Sequence, residues 1–225
     1  HGCLVGSEMC IRDRSMIERV WEKCSETSPK KNIIVATDDK RIFQHCRSKE
    51  INVLMTSKKC LTGSDRVAEV AKKIEAKFYV NVQGDEPLIN PKDILKVIKD
   101  FKKNKITNCA ATTIKDKDEL YNLNIPKIAS AENGLVLYIS RANIPSNKES
   151  IPKKLKKQVC IYCFSKEALN LFGINSKKTY LEKTEDIELL RVLENGIPVR
   201  VIDVKSDSMA VDTPEDLIRV RKICK

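Results

Sequence analysis

The chain has 225 residues, 41% of them hydrophobic and 32% charged, enough to bury a sizeable core in one large domain or in one domain with an appendage. It contains no run of about 18 apolar residues, so no membrane-spanning helix is expected, and residues 1–14 lack the basic, apolar and small-residue order of a secretion signal, which points to a cytoplasmic protein. The excess of 42 basic over 31 acidic residues, a net +11, raises nucleic acid as a partner, but the lysines cover nearly every polar stretch and aromatics make up only 5%, which weighs toward a solvated surface instead.

Residues 16–26 read as a helix with Ile17, Val20, Trp21 and Cys24 on one stripe. A short apolar strand over 32–36 ends in Thr37-Asp38-Asp39, a good start for the next helix at 40–49, and a second strand covers 51–55. After a polar loop at 56–64, the spacing predicts a helix over 65–74 with Val67, Ala68, Val70, Ala71 and Ile74 inward. The next strand, beginning at Phe78, runs into Gln83-Gly84-Asp85-Glu86-Pro87, where glycine frees the backbone and proline ends ladder pairing. Adjacent side chains of an extended segment point opposite ways, so only one of Asp85 and Glu86 faces a given ligand, and Asp85 is the choice made here. At the carboxyl edge of an open α/β sheet such a group is a natural seat for Mg²⁺ carrying a phosphate. An ordinary turn with solvated acids fits the same tripeptide equally well. Residues 91–101 form a helix whose Pro91 and Asp93 suit its amino end.

Strands alternating with ten-residue helices predict a mainly parallel sheet with helices on both faces. From residue 109 the pattern changes. Strand candidates at 109–114, 126–129, 135–140 and 159–164 are separated mainly by loops, which suggests an inserted antiparallel or dimerisation lobe at roughly 115–165. A helix over 180–194, a strand over 199–204 and a helix over 214–224 close the chain. On a continuous wheel from Glu182, Leu189, Leu190, Val192 and Leu193 fall within about 80°, with Thr184 and Arg191 opposite. Glu182, Glu185 and Asp186 therefore lie on the apolar side, either as partners of the helix dipole or as carboxylates entering a polar cleft. Nine scattered cysteines fit reduced thiols, and Cys160 and Cys163, in one strand, face opposite sides and cannot share a metal.

Several of these segments match a known family in order. Residues 81–89 (NVQGDEPLI) resemble the signature of 3-deoxy-manno-octulosonate (Kdo) cytidylyltransferases. The likeness continues through IIVATD at 33–38, TGSDRVAEV at 62–70, the N-x-x-K stretch at 124–127, LYISRANIP at 137–145, the segment 181–193 and VDTPEDL at 211–217. The resemblance implies a Rossmann-like nucleotidyltransferase fold, a single domain over 15–225, and transfer of CMP from CTP to Kdo, releasing pyrophosphate and giving CMP-Kdo for lipopolysaccharide assembly. It further implies a homodimer and Mg²⁺ held by Asp85 and Asp212. Gly63, Ser64, Asp65 and Arg66, with Gln83 nearby, would read the cytosine, although Ser64 serves equally as a helix cap. Arg141 would bind the sugar carboxylate through two parallel bonds, with Glu182 and Glu185 on the sugar hydroxyls and Gln158 and Tyr162 beside them.

The chain also departs from the pattern. The family's first strand and basic Gly-rich loop are not found, and residues 1–14 resemble nothing in it and read as a truncated reading frame or as foreign sequence; the spacing of Arg12 and Arg14 gives no reason to expect them to replace the loop. A parallel sheet without that strand is expected to carry a gap unless residues 3–5 fill it, and CTP is expected to bind weakly. Gln158 stands where the family usually has His, and Leu189 where it has Gln. Losing two polar contacts can redirect substrate preference, so an 8-amino Kdo analogue or another 2-keto-3-deoxy sugar acid is an alternative substrate. An inactive relative and a basic nucleic-acid-binding protein are the other readings.

Overall fold

The computed structural model describes residues 10–11, 14–146, 148, 155–211 and 213–224. Local signals set most element ends. Strand β2 (Arg14–Ser15), paired with β1 (Cys10–Ile11), delivers Ser15 as the cap of α1 (Met16–Ser25), in a capping box closed by Glu18. Strands β3 (Val35–Thr37) and β4 (Val53–Met55) flank α2 (Lys40–Ser48), which Asp39 caps. Thr62, not Ser64, caps α3 (Gly63–Lys73), so that helix starts two residues earlier than its periodicity predicts. Ile74 leaves it in an extended conformation, 39% exposed rather than inward. Strand β5 (Tyr79–Val82) is followed by α4 (Pro91–Asn104), with Asn90 as cap and Pro91 at its first position.

The second half supplies β6 (Thr107–Thr113), α5 (Lys117–Tyr121), β7 (Lys127–Ser130), β8 (Val136–Ser140), β9 (Lys156–Phe164), α6 (Lys166–Leu169), α7 (Tyr180–Glu185), α8 (Leu189–Glu194), β10 (Val199–Asp203) and α9 (Pro214–Ile223). The main sheet runs β10-β6-β9-β7-β8, with β5 added on β9. It is mixed rather than mainly parallel. β5 and β6 keep a common direction, as the intervening α4 crossover requires. The later strand β9 inserts between them, antiparallel to both, pairing Val82 with Ile161 on one side and Asn108 with Cys163 on the other. Strands β7 and β8 extend this same sheet rather than forming a separate one, while β10 joins β6 in parallel.

Alternation along β9 feeds two cores. Tyr162 and Phe164 pack under α3, α6 and α8 with Ala68, Leu169 and Leu190, and Val159, Ile161 and Cys163 pack under α4 with Ile94, Val97 and Phe101. Cys160 lies on the first side and Cys163 on the second, and burial pushes the Cys109 thiol up to about 12, which keeps it protonated and inert. Among the described residues β3 and β4 pair only with each other, so no ladder joins them to β5. Residues 3–5, the expected filler of that gap, lie outside the described residues. The β3–β4 pair has its own small core of Val35, Cys46 and Ile51 with Ile17 and Trp21 of α1.

Candidate active site

The carboxyl end of β5 is built by division of labour between two neighbouring acids. Glu86, 3% exposed, accepts hydrogen bonds from the Cys160 amide at 2.8 Å and the Ser208 hydroxyl at 2.6 Å, so its side chain anchors the loop before α9 to β9. Asp85, one residue earlier, is half-buried and lies in the turn that follows β5. Its carbonyl accepts from the Val211 amide at 2.9 Å, which brings the residue preceding Asp212 to the edge of β5. Asp212 itself lies outside the described residues. A Cβ on Gly84 would stand 3.1 Å from Ile17 Cδ1, so Ile17 would have to give way to a larger residue there.

Beside this edge lies the first turn of α3. A Cβ on Gly63 would meet Glu188 Oε1 at 3.4 Å, Asn81 Nδ2 at 3.6 Å and Gln83 Nε2 at 3.8 Å, so three polar side chains, from β5, the residue after it and the residue before α8, converge on one glycine. Asn81 Nδ2 donates to Ser64 Oγ at 3.3 Å. Glu188 accepts from the Gly63 and Ser64 amides at 2.8 and 3.1 Å and from the Ser64 hydroxyl. Burial pushes the Glu188 carboxyl above the usual carboxylate range, against the pull of those donors. Tyr162 Oη, 3% exposed as a residue, accepts from Gln158 Nε2 at 2.6 Å, so the two predicted sugar contacts on β9 pair with each other.

Two predicted contacts are corrected by the structure. Asp65 is 0% exposed, one oxygen accepting from the Gly173 amide, the Ser176 hydroxyl and Arg191 Nη1 at 2.8–2.9 Å and the other from the Thr62 hydroxyl at 2.9 Å. Burial raises its pKa, and the first three of these partners more than reverse the effect, leaving it below the usual value. Glu182 is also 0% exposed, held by Arg191 through two bonds of 2.6 and 2.7 Å. Both acids are therefore internal partners of one arginine and cannot meet a base or a sugar. Arg66 ties α3 to neighbouring loops through Thr56 Oγ1 at 3.0 Å and Asp38 at 3.1 Å.

On the other side of α7, Arg141 donates to the carbonyls of Glu185, Leu123 and Asp186 at 2.6, 2.9 and 3.1 Å. A guanidinium has five N–H donors, so this clamp fixes its plane and leaves two for a ligand. Glu185 accepts from Ser140 Oγ at 2.7 Å and the Arg141 amide at 2.9 Å. Glu188 and Arg191 were not predicted from the sequence. Their signal is a glutamate and an arginine embedded in the apolar run Leu189, Leu190, Val192, Leu193, a placement that costs free energy unless each charge is paired inside.

The fold and its likeness to known proteins define an α/β nucleotidyltransferase. The sequence pattern of the family described as Cytidylyltransferase matches residues 10–206. The chain is 35% identical, over 93% of its length and 87% of the relative's, to the 3-deoxy-manno-octulosonate cytidylyltransferase of Chloroherpeton thalassium, and 36% identical, over 93% and 88%, to that of Geotalea daltonii. A solved CMP:2-keto-3-deoxy-manno-octonic acid synthetase complexed with CTP superimposes with a TM-score of 0.88 at 28% identity, covering 98% of this chain and 92% of the other. The chain belongs to the cytidylyltransferase family.

Proposed function

We propose that this protein transfers CMP from CTP to Kdo, releasing pyrophosphate and forming CMP-Kdo. The observation that carries the reading is the convergence of Gly63, Ser64, Asn81, Gln83 and Glu188 beside the carboxyl end of β5, in a chain whose relatives bear this activity by name. In this reading the Gly63–Ser64 turn and the Gln83 amide meet the cytosine edge, because a pyrimidine is distinguished by amide donors and acceptors at close approach. Arg66 braces the turn, and Arg141, with Glu185 behind it, receives the sugar carboxylate. Gln158 and Tyr162 border the sugar side from β9.

The donor set suits a hard divalent cation. Asp85 offers carboxylate oxygens at a strand end, and the Val211–Asp85 backbone bond supports a shared position with Asp212. Mg²⁺ commonly binds through one or two carboxylates and substrate phosphates, which is the donor set these two residues would offer. When bound, Mg²⁺ supplies neutralisation of the charge that builds on the phosphoryl oxygens. The chain's own task is positioning: aligning the sugar's anomeric hydroxyl with the α-phosphorus and the departing pyrophosphate.

A second reading, that the sugar acid is an 8-amino Kdo analogue or another 2-keto-3-deoxy acid, is favoured by one observation. Leu189 is 0% exposed in the main core, so the position where the family carries Gln offers this site no polar contact. Pyrophosphate release from CTP and Mg²⁺ with each sugar acid tests both readings. Kdo as the better substrate supports the first, the analogue as the better substrate supports the second, and no release with either contradicts both.

In the same reading the protein is a cytoplasmic homodimer whose product feeds lipopolysaccharide assembly. No helix among the described residues is long and apolar enough to cross a membrane. Leu137 on β8 and Leu123 nearby in sequence, 66% and 65% exposed, offer apolar area for self-association, which sedimentation velocity checks.

A further inference from the structure

The first turn of α3 is gripped from α8. Arg191 binds Asp65 at 2.9 Å, and Glu188, the residue just before α8, lays its carboxylate on the Gly63 and Ser64 amides at 2.8 and 3.1 Å and on the Ser64 hydroxyl. Helix α3 does not need Glu188 for capping, since the Thr62 side chain already accepts from the Asp65 amide. What Glu188 does is fix the two residues ahead of that bond, whose amides would otherwise look for partners. Withdrawing a carboxylate from water is costly, and here three donors from one turn offset the cost. The grip also sets the orientation of the Ser64 hydroxyl, which receives a bond from Asn81, and the Gln83 amide approaches Gly63 from the same direction as Asn81 and Glu188.

We propose that Glu188 is a positioning residue for the nucleotide. By bridging Gly63 and Ser64 it holds the turn in its binding shape, so that CTP meets a preformed edge and not a loop that must be ordered at the moment of binding. Its location three residues after Glu185 links the nucleotide side to the sugar side through one short segment, with no direct contact between Glu188 and either substrate. The inference rests on the cytidylyltransferase reading for the identity of the nucleotide.

The test compares the wild-type full chain with Glu188→Ala and Glu188→Gln. CTP affinity is measured by calorimetry with Mg²⁺, the KM for the sugar acid at saturating CTP, and hydrogen exchange at the Gly63 and Ser64 amides. For Glu188→Ala the expected result is CTP binding weakened at least about tenfold, amide exchange faster by at least about tenfold, and a sugar-acid KM within about threefold of wild type. Glu188→Gln keeps one acceptor oxygen but turns an amine toward a donor, so about three- to tenfold weaker CTP binding is expected; this variant carries the test if the alanine variant fails to fold. Unchanged CTP affinity in a variant whose amides exchange faster would make the contact merely structural and overturn the proposal. A rise confined to the sugar-acid KM would overturn it in favour of a direct sugar contact. Failure of the wild-type chain to bind CTP would instead remove the functional reading, and the exchange rates would still decide whether Glu188 holds the turn.

Discussion

At the scale of single residues, Arg191 shows how context overrides pattern. It is 1% exposed, with Asp65 on one side, Glu182 on the other and the Phe172 ring 4.4 Å from its guanidinium carbon. A wheel drawn through residues 180–194 as one helix turns this arginine toward solvent, because the wheel assumes an unbroken helix. The structure breaks that helix at Asp186, which adopts a left-handed conformation with φ 52° and ψ 51°, and the phase of α8 is reset. Removing the arginine leaves two carboxylates buried with too few donors. Arg191→Met is expected to cost about 3–5 kcal/mol, read as a fall in thermal midpoint of roughly 6–20 °C for a chain of this size; a fall of under about 2 °C would contradict the account of the trio. By contrast the turn that carries Asp85 and Glu86 was legible, since Gly84 and Pro87 mark the end of β5.

Among elements, those whose ends are written in local chemistry were readable. The Thr213-Pro214-Glu215-Asp216 run predicts a capping box with proline at the first position, and α9 has both. What local chemistry cannot encode is strand order. Nothing in residues 156–164 says that β9 comes to lie between β5 and β6, because that depends on how far the insertion after β6 carries the chain before it returns. The same reasoning about ends yields a stabilising change. Helix α4 closes on Lys105 in a left-handed conformation, φ 59° and ψ 20°, a position that favours glycine. Lys105 is exposed, so Lys105→Gly is expected to raise stability by about 0.5–1 kcal/mol in urea unfolding. A loss of stability would mean that the lysine side chain contributes more than the strained backbone costs.

Across the whole molecule, α3 packs between the β3–β4 pair and the main sheet. Helix α3 lies against both β3 and β5, yet among the described residues no backbone ladder crosses from one sheet to the other. Residues 3–5, which the sequence offers as a filler between them, lie outside the described residues. The one tryptophan, Trp21, packs on the smaller core with β3 and β4, so its fluorescence reports that unit while far-UV circular dichroism reports the whole. Urea is expected to shift the Trp21 signal at lower concentration than the dichroism; coincident transitions would show that side-chain packing alone joins the sheets into one cooperative body. In the proposed function Asp85 and Asp212 act together on one cation that holds the triphosphate. The most direct measurement is the rate of pyrophosphate release from CTP and sugar acid in Asp85→Asn, Asp212→Asn and the double variant, at saturating Mg²⁺, with thermal midpoints recorded alongside. The account predicts that each single change lowers kcat by about a thousandfold or more and that the double change costs little beyond either one, with the fold intact. Retention of more than about a tenth of the activity in either folded single variant, or losses that multiply in the double variant, would contradict it.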